Sequence, residues 1–152
     1  MFNIVLIEPE IPQNTGTIAR LCAATNSRLI LVGKLGFSLS DKYLKRAGLD
    51  YWDYVNWTHI ESTASYFQSL DTSSTTPWLL TTKTDKCYFN TPFTGSDTLI
   101  FGSESKGLSD NIRSDYSDQL ITIPMMNQNI RSLNLANAVS IVLYEAIRQQ
   151  ND

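Results

Sequence analysis

Short apolar runs recur along the chain at Phe2–Ile7, Arg28–Val32, Trp52–Trp57, Trp78–Thr82, Thr98–Phe101 and Gln119–Ile123. Most are continuous rather than alternating, the pattern of strands covered on both faces. Segments with helical spacing lie between them, at Thr15–Thr25, Asp41–Ala47, His59–Leu70, Ser109–Asp115 and Leu133–Gln149. This β–α alternation predicts an α/β layer fold with a largely parallel sheet flanked by helices. No internal repeat or linker interrupts it, so residues 1–152 read as a single domain. The Ser/Thr-rich stretch Asp71–Thr76 reads as a short exposed connection.

The last helix has an unusual pattern. Leu135, Val139, Val142 and Ala146 form one apolar stripe, which Leu133, Ala136, Leu143 and Ile147 widen. Ala138 and Ile141 add apolar surface elsewhere on the helix. An ordinary surface helix has one stripe. Periodicity leaves two readings open: a helix buried within one chain, or a helix that packs on its own sheet and on a second copy.

Charge and composition narrow the function. Lys plus Arg is 12 and Asp plus Glu is 15, a net charge of −3, with an isoelectric point near 5.1. A polybasic nucleic-acid binder is excluded, and any such contact must come from a local patch. Lys42, Lys45 and Arg46, with Lys34 nearby, form either that patch or a solvated helix face. Tyr51, Trp52 and Tyr54 can stack an unpaired base or serve the core or an interface. His59 is the one histidine, which excludes a multi-His metal site within a chain. Thr58–Glu61 reads as a capping box at a helix start. Cys22 and Cys87 lie far apart and predict no disulfide framework or zinc site. The first residues read as a strand rather than a signal peptide, and no apolar run approaches the ~18 residues of a membrane span. The simplest compartment is the cytosol.

Three segments can carry chemistry. In Glu8-Pro-Glu-Ile-Pro-Gln-Asn-Thr-Gly-Thr-Ile-Ala-Arg20 a strand gives way to a helix with Asn14 at its cap. Gly16 and Arg20, four apart, share one helical face, and a helix N-terminus is a ready anion site. In Leu99-Ile-Phe-Gly-Ser-Glu-Ser-Lys-Gly-Leu108 an apolar strand enters a turn with Gly102 and Gly107. Leu after Gly107 excludes a Walker A loop, and ligands of parallel α/β sheets bind at such strand ends. The third segment, Ile121 to Ala138, ends a strand at Pro124 and continues through a polar loop that suits an adenine-like ring. Ser132 reads as the cap of the last helix, with Asn134 and Asn137 in buried-looking positions that need partners.

Together these segments resemble the SPOUT superfamily of RNA methyltransferases, most closely its tRNA (cytidine/uridine-34)-2′-O-methyltransferase branch. Leu35-Gly-Phe37, Gly48-Leu-Asp-Tyr51, Leu80-Thr-Thr-Lys83 and Arg131-Ser-Leu-Asn-Leu135 add to the match, which spans nearly the whole chain. The resemblance implies a deep trefoil knot in the C-terminal half, a homodimer and S-adenosylmethionine as cofactor, with no metal and no membrane. It implies that Leu80, Gly102, Ile123, Ser132, Met125 and Leu133 contact the cofactor, largely through backbone groups. It places Asn14, Gly16, Glu104, Gly107, Arg131 and Asn134 around the catalytic cleft. The implied substrate is the ribose of the wobble nucleotide in certain tRNAs, tRNA-Leu isoacceptors among them.

The implied reaction is an in-line attack of a 2′-hydroxyl on a sulfonium methyl group. Arg20 stands at the position of the family's catalytic arginine. A guanidinium is always charged and is a poor base, so Arg20 is expected to hold phosphate and stabilise charge on oxygen. Competing readings are the same chemistry at another tRNA or rRNA position, and a non-catalytic dimeric RNA-binding protein of the same fold. A dinucleotide-binding fold lacks its glycine fingerprint here.

Overall fold

The computed structural model describes residues 1–40, 42, 44, 46 and 51–151. The strands among them are β1 (Asn3–Ile7), β2 (Arg28–Val32), β3 (Trp57–Ile60), β4 (Pro77–Leu80), β5 (Thr98–Phe101) and β6 (Leu120–Ile121). The helices are α1 (Pro12–Thr25), α2 (Thr63–Ser69), α3 (Asp110–Asp115) and α4 (Leu135–Asn151). The strands form one sheet in the order β3-β2-β1-β5-β4-β6. Every neighbouring pair is parallel, so all the carboxyl ends emerge at one edge.

Side chains of a strand point alternately to the two faces, and both faces are buried here. Ile4, Leu6, Leu29, Leu31, Leu99 and Phe101 pack with Ile18 and Cys22 of α1 and with Val139, Val142 and Leu143 of α4. Val5, Ile7, Ile30, Val32, Leu79 and Ile100 pack on the other side with Tyr66 and Phe67 of α2 and Ile112 of α3. This double coverage is why the strands read as continuous apolar runs. Burial pushes the Cys22 thiol up to about 12, so it is an inert core residue.

Several expected elements move. The third strand is Trp57–Ile60, paired with β2 from Leu29↔Trp57 to Val32↔Ile60, not Trp52–Trp57. Trp52–Tyr54 is a 3-10 turn, with the Trp52 and Trp57 rings 5.3 Å apart. His59 therefore lies in a strand, and the expected capping box is absent. Ser62 caps α2 instead, its side chain accepting from Ser65 N at 3.2 Å. α1 starts at Pro12, so Asn14 lies inside the helix rather than at its cap. Asn134, not Ser132, caps α4: its Oδ1 accepts from Ala136 N at 2.9 Å and Asn137 N at 3.3 Å. Asn134 and Asn137 are exposed, contrary to their buried-looking positions. The expected helix Asp41–Ala47 lies outside the described residues except at 42, 44 and 46, which are helical.

The amino edge of the sheet is tied by Asp97. This fully buried carboxylate accepts from Trp78 Nε1 at 2.9 Å and from Thr94 N at 2.8 Å. Asp97→Ala leaves the buried indole donor unpaired, a loss of about 3 kcal/mol in urea denaturation. Adding Trp78→Phe to that variant is expected to recover part of the loss, because the orphaned donor is then gone.

Candidate functional site

The turn after β5 is shaped by two glycines. A Cβ on Gly102 would lie 2.1 Å from Gly107 C and 2.3 Å from Leu108 N, so only glycine fits. Gly107 has a φ of +66°, the left-handed region that glycine favours. The turn closes through Gly107 N donating to Ser103 O at 2.9 Å, and it presents Glu104 to the start of α1.

Glu104 makes the central contacts. Its Oε2 accepts from Glu10 N at 2.7 Å, and its Oε1 from Ile11 N at 3.0 Å and Asn14 Nδ2 at 3.2 Å. α1 has no side-chain cap of its own, and a carboxylate there complements the helix dipole. Glu10 answers from the other loop, accepting from Ser105 N at 3.0 Å and from the Ser105 hydroxyl at 2.6 Å. Asn14 Oδ1 accepts from Asn134 Nδ2 at 3.0 Å, and Asn134 caps α4. Asn14, Glu104 and Asn134, drawn from the three segments singled out in the sequence, thus form one hydrogen-bonded chain.

A second cluster lies beside it. Leu80 pairs in register with Phe101 on one side and Ile121 on the other. Gly102 and Ile123 therefore leave the sheet edge next to Leu80. Beyond β6 the chain runs alongside the loop that follows β4: Thr122 N donates to Lys86 O at 2.8 Å and Tyr88 N to Thr122 O at 2.9 Å. Leu80, Ile123 and Met125 are half-buried, whereas Ser132 and Leu133 are exposed. Between Pro124 and Leu133 the described residues show two hydrogen bonds, both to Asn127: from Asn129 N to Oδ1 and from Ile130 N to the carbonyl. The rest of this segment offers backbone donors and acceptors next to apolar side chains. That donor set fits a flat heteroaromatic ring with a polar edge.

Other expected residues stand apart. Arg20 is exposed on α1, with its guanidinium carbon 4.6 Å from the centre of the Tyr51 ring, outside the Glu104 chain. Gly16 is buried one turn earlier. Arg131 is exposed in the open segment. Lys42 and Arg46 are exposed; Lys45 lies outside the described residues. Glu10 and the Tyr51–Arg20 contact were not among the expected site residues. Glu10 lay within the first motif, but no local pattern announces a bond to a turn 95 positions away. Among the described residues no three His, Cys, Asp or Glu side chains gather as a metal cage.

Glu104→Ala strips the amides of Glu10 and Ile11 and the Asn14 side chain of their acceptor. The expected result is a stability loss of about 3 kcal/mol, with faster amide exchange at Glu10 and Ile11 than in the wild type.

Comparison with known proteins follows the same outline. The sequence profile of the SpoU rRNA Methylase family matches residues 1–144. A tRNA (cytidine(34)-2′-O)-methyltransferase of Methylovorus glucosotrophus is 46% identical over 152 residues, covering 99% of this chain and 97% of its own. A structure solved for insight into 2-OH methylation of C/U34 on tRNA is 39% identical, with a TM-score of 0.93 over 99% of this chain and 97% of that one. The SpoU methyltransferase AviRb of Streptomyces viridochromogenes, in complex with AdoMet, is 27% identical, with a TM-score of 0.85 over 99% of this chain and 58% of that one.

Proposed function

The chain belongs to the SpoU rRNA methylase family, and on that premise we propose that it is an S-adenosylmethionine-dependent tRNA 2′-O-methyltransferase acting on the ribose of the wobble cytidine or uridine at position 34. The observation that carries the reading is the convergence of three loops at one sheet edge, with the open Pro124–Leu133 segment beside Leu80 and Gly102.

When bound, the cofactor supplies an electrophilic methyl group. The chain's part is binding, alignment and charge. Leu80, Ile123 and Met125 give apolar walls for its adenosine, and Gly102, Ser132 and Leu133 lie where backbone groups can hold it. Arg20 binds substrate phosphate and stabilises negative charge as it develops on the 2′-oxygen. A guanidinium keeps its proton, so phosphate or water takes the hydroxyl proton. The Glu104–Asn14–Asn134 chain fixes the start of α1, the helix that bears Arg20. Gly16 and Arg131 complete the cleft in this reading.

The finer features of the proposal follow from the same site. Residues 1–152 form one domain whose C-terminal half is threaded as a trefoil knot, a reading supported by the hydrogen bonds of Thr122, just past β6, to Lys86 and Tyr88 in the loop after β4. The protein acts as a homodimer, supported by Tyr144 and Ile141, exposed by 55% and 36% on α4. It works in the cytoplasm, in keeping with the lack of a membrane-crossing helix among the described residues, and tRNA-Leu isoacceptors are its substrates. Lys42, Lys45 and Arg46 contact the RNA backbone.

The deciding experiment is site-resolved mapping of 2′-O-methylation on tRNA from a strain lacking the gene. Methylation at position 34 should be absent and return with the wild-type gene; an unchanged position 34 refutes the proposal. Arg20→Lys is expected to lower kcat by about 10²–10³, the scale for a lost charge-stabilising donor, while tRNA affinity changes by less than about tenfold. Near-wild-type kcat in that variant removes Arg20 from the chemistry. Affinity for tRNA should fall steeply with salt.

A further inference from the structure

The carboxyl edge holds a second depression, over β2 and β3 and away from the cofactor loops. It is an open cavity of about 410 Å3, lined by Gly33, Lys34, Leu35, Phe37, His59 and Glu61 among others. Its floor is built for closeness. Gly33 has a φ of +80°, and a Cβ there would lie 2.6 Å from Thr63 Oγ1 and 2.7 Å from Glu8 Cγ. The His59 ring is fixed by its Nε2, 2.9 Å from Gly33 O. A carbonyl can only accept, so Nε2 carries the proton in this contact.

The walls combine an aromatic face from Phe37 with apolar surface from Leu35, and the rim carries the Lys34 ammonium and the exposed Glu61 carboxylate. The pocket also touches the catalytic edge. Gly36 N donates to Pro9 O at 2.9 Å, and a Cβ on Gly36 would lie 2.7 Å from Glu10 Cα. Glu10 in turn binds Ser105, next to Glu104. One loop therefore separates this cavity from the residues that hold the start of α1.

We propose that this cavity binds one unpaired nucleotide of the RNA substrate, next to the nucleotide being modified. Its base lies against Phe37, its amino group donates to Glu61, and its phosphate meets Lys34. Single-stranded loops are read in this way, by stacking on aromatic rings and hydrogen bonds to base edges. A carboxylate accepts from the exocyclic amino groups of adenine, cytosine and guanine, whereas uracil has no amino group and offers it only the N3–H on another part of its edge. The site rests on the RNA-methyltransferase reading but is separate from the cofactor loops.

The test uses the whole protein and a synthetic anticodon stem–loop RNA, with binding read by fluorescence anisotropy in the absence of cofactor. Phe37→Ala is expected to weaken binding about tenfold, within the range for loss of one stacked base. Phe37→Trp should keep wild-type affinity. Both should bind S-adenosylmethionine as the wild type does, which separates a pocket effect from misfolding. Replacing the loop nucleotides with uridine one at a time should weaken wild-type binding at one position, and Glu61→Gln should abolish that discrimination. Equal affinity of Phe37→Ala and wild type, or equal discrimination by Glu61→Gln and wild type, overturns the proposal. A wild-type protein that binds the stem–loop but transfers no methyl group refutes the catalytic reading instead.

Discussion

One carboxylate organises the carboxyl edge of the sheet. Glu104 replaces the cap that α1 lacks, accepting from Glu10 N, Ile11 N and the Asn14 side chain together. Because Glu104 sits in a turn that only Gly102 permits, the position of the first helix depends on a glycine about 90 residues later in the chain. The reverse dependence runs through Asn14 to Asn134 and the cap of α4. Both helices of one sheet face are therefore set by a single polar chain. Such networks are strong when every member is satisfied and fail together when one is not.

Much of this was legible in the sequence, because strands buried on both faces leave continuous apolar runs. Arg28–Val32 and Thr98–Phe101 are read to the residue. The errors share a cause. Asn14 and Ser132 are good local caps, but Glu104 and Asn134 do the work, and the former acts through a contact that sequence spacing does not encode. His59 looked like a helix start because Thr58 and Glu61 have the right spacing; pairing with β2 overrode that local preference. At the site, the three segments were identified by residue type, yet their order of contact was not. Glu10 was passed over for the same reason: its partner, Ser105, is distant in sequence.

The charge balance looks unfavourable for an RNA partner until it is placed on the sheet. Lys34 follows β2, Lys83 follows β4, Lys106 follows β5 and Arg131 follows β6; Lys86 turns back, its ammonium donating to Asp118 O at 3.2 Å. Asp53, Asp71, Asp97, Asp115 and Asp118 precede strands and lie toward the opposite edge. The carboxyl edge has acids too: Glu10 and Glu104 are engaged by amides and a hydroxyl, while Glu8, Glu61, Asp85 and Asp110 are exposed. Cations and acids share this edge, and a polyanion responds to the local field around Lys34, Lys83, Lys106 and Arg131 rather than to the net charge of −3.

The strand order also governs how the chain can be made. β1 sits between β2, its near neighbour in sequence, and β5, which begins at Thr98. β4 borders only β5 and β6, both later in the chain. As synthesis proceeds from the amino end, β1, β2 and β3 can pair early but keep an open edge on β1. β4 waits with its apolar side chains uncovered until Thr98–Phe101 leaves the ribosome. Long-range parallel pairing is slow and exposes sticky edges, so nascent chains of this protein spend the translation of about seventy residues, from Val32 to Phe101, with their first strand half-paired, the interval in which a chaperone has most to offer.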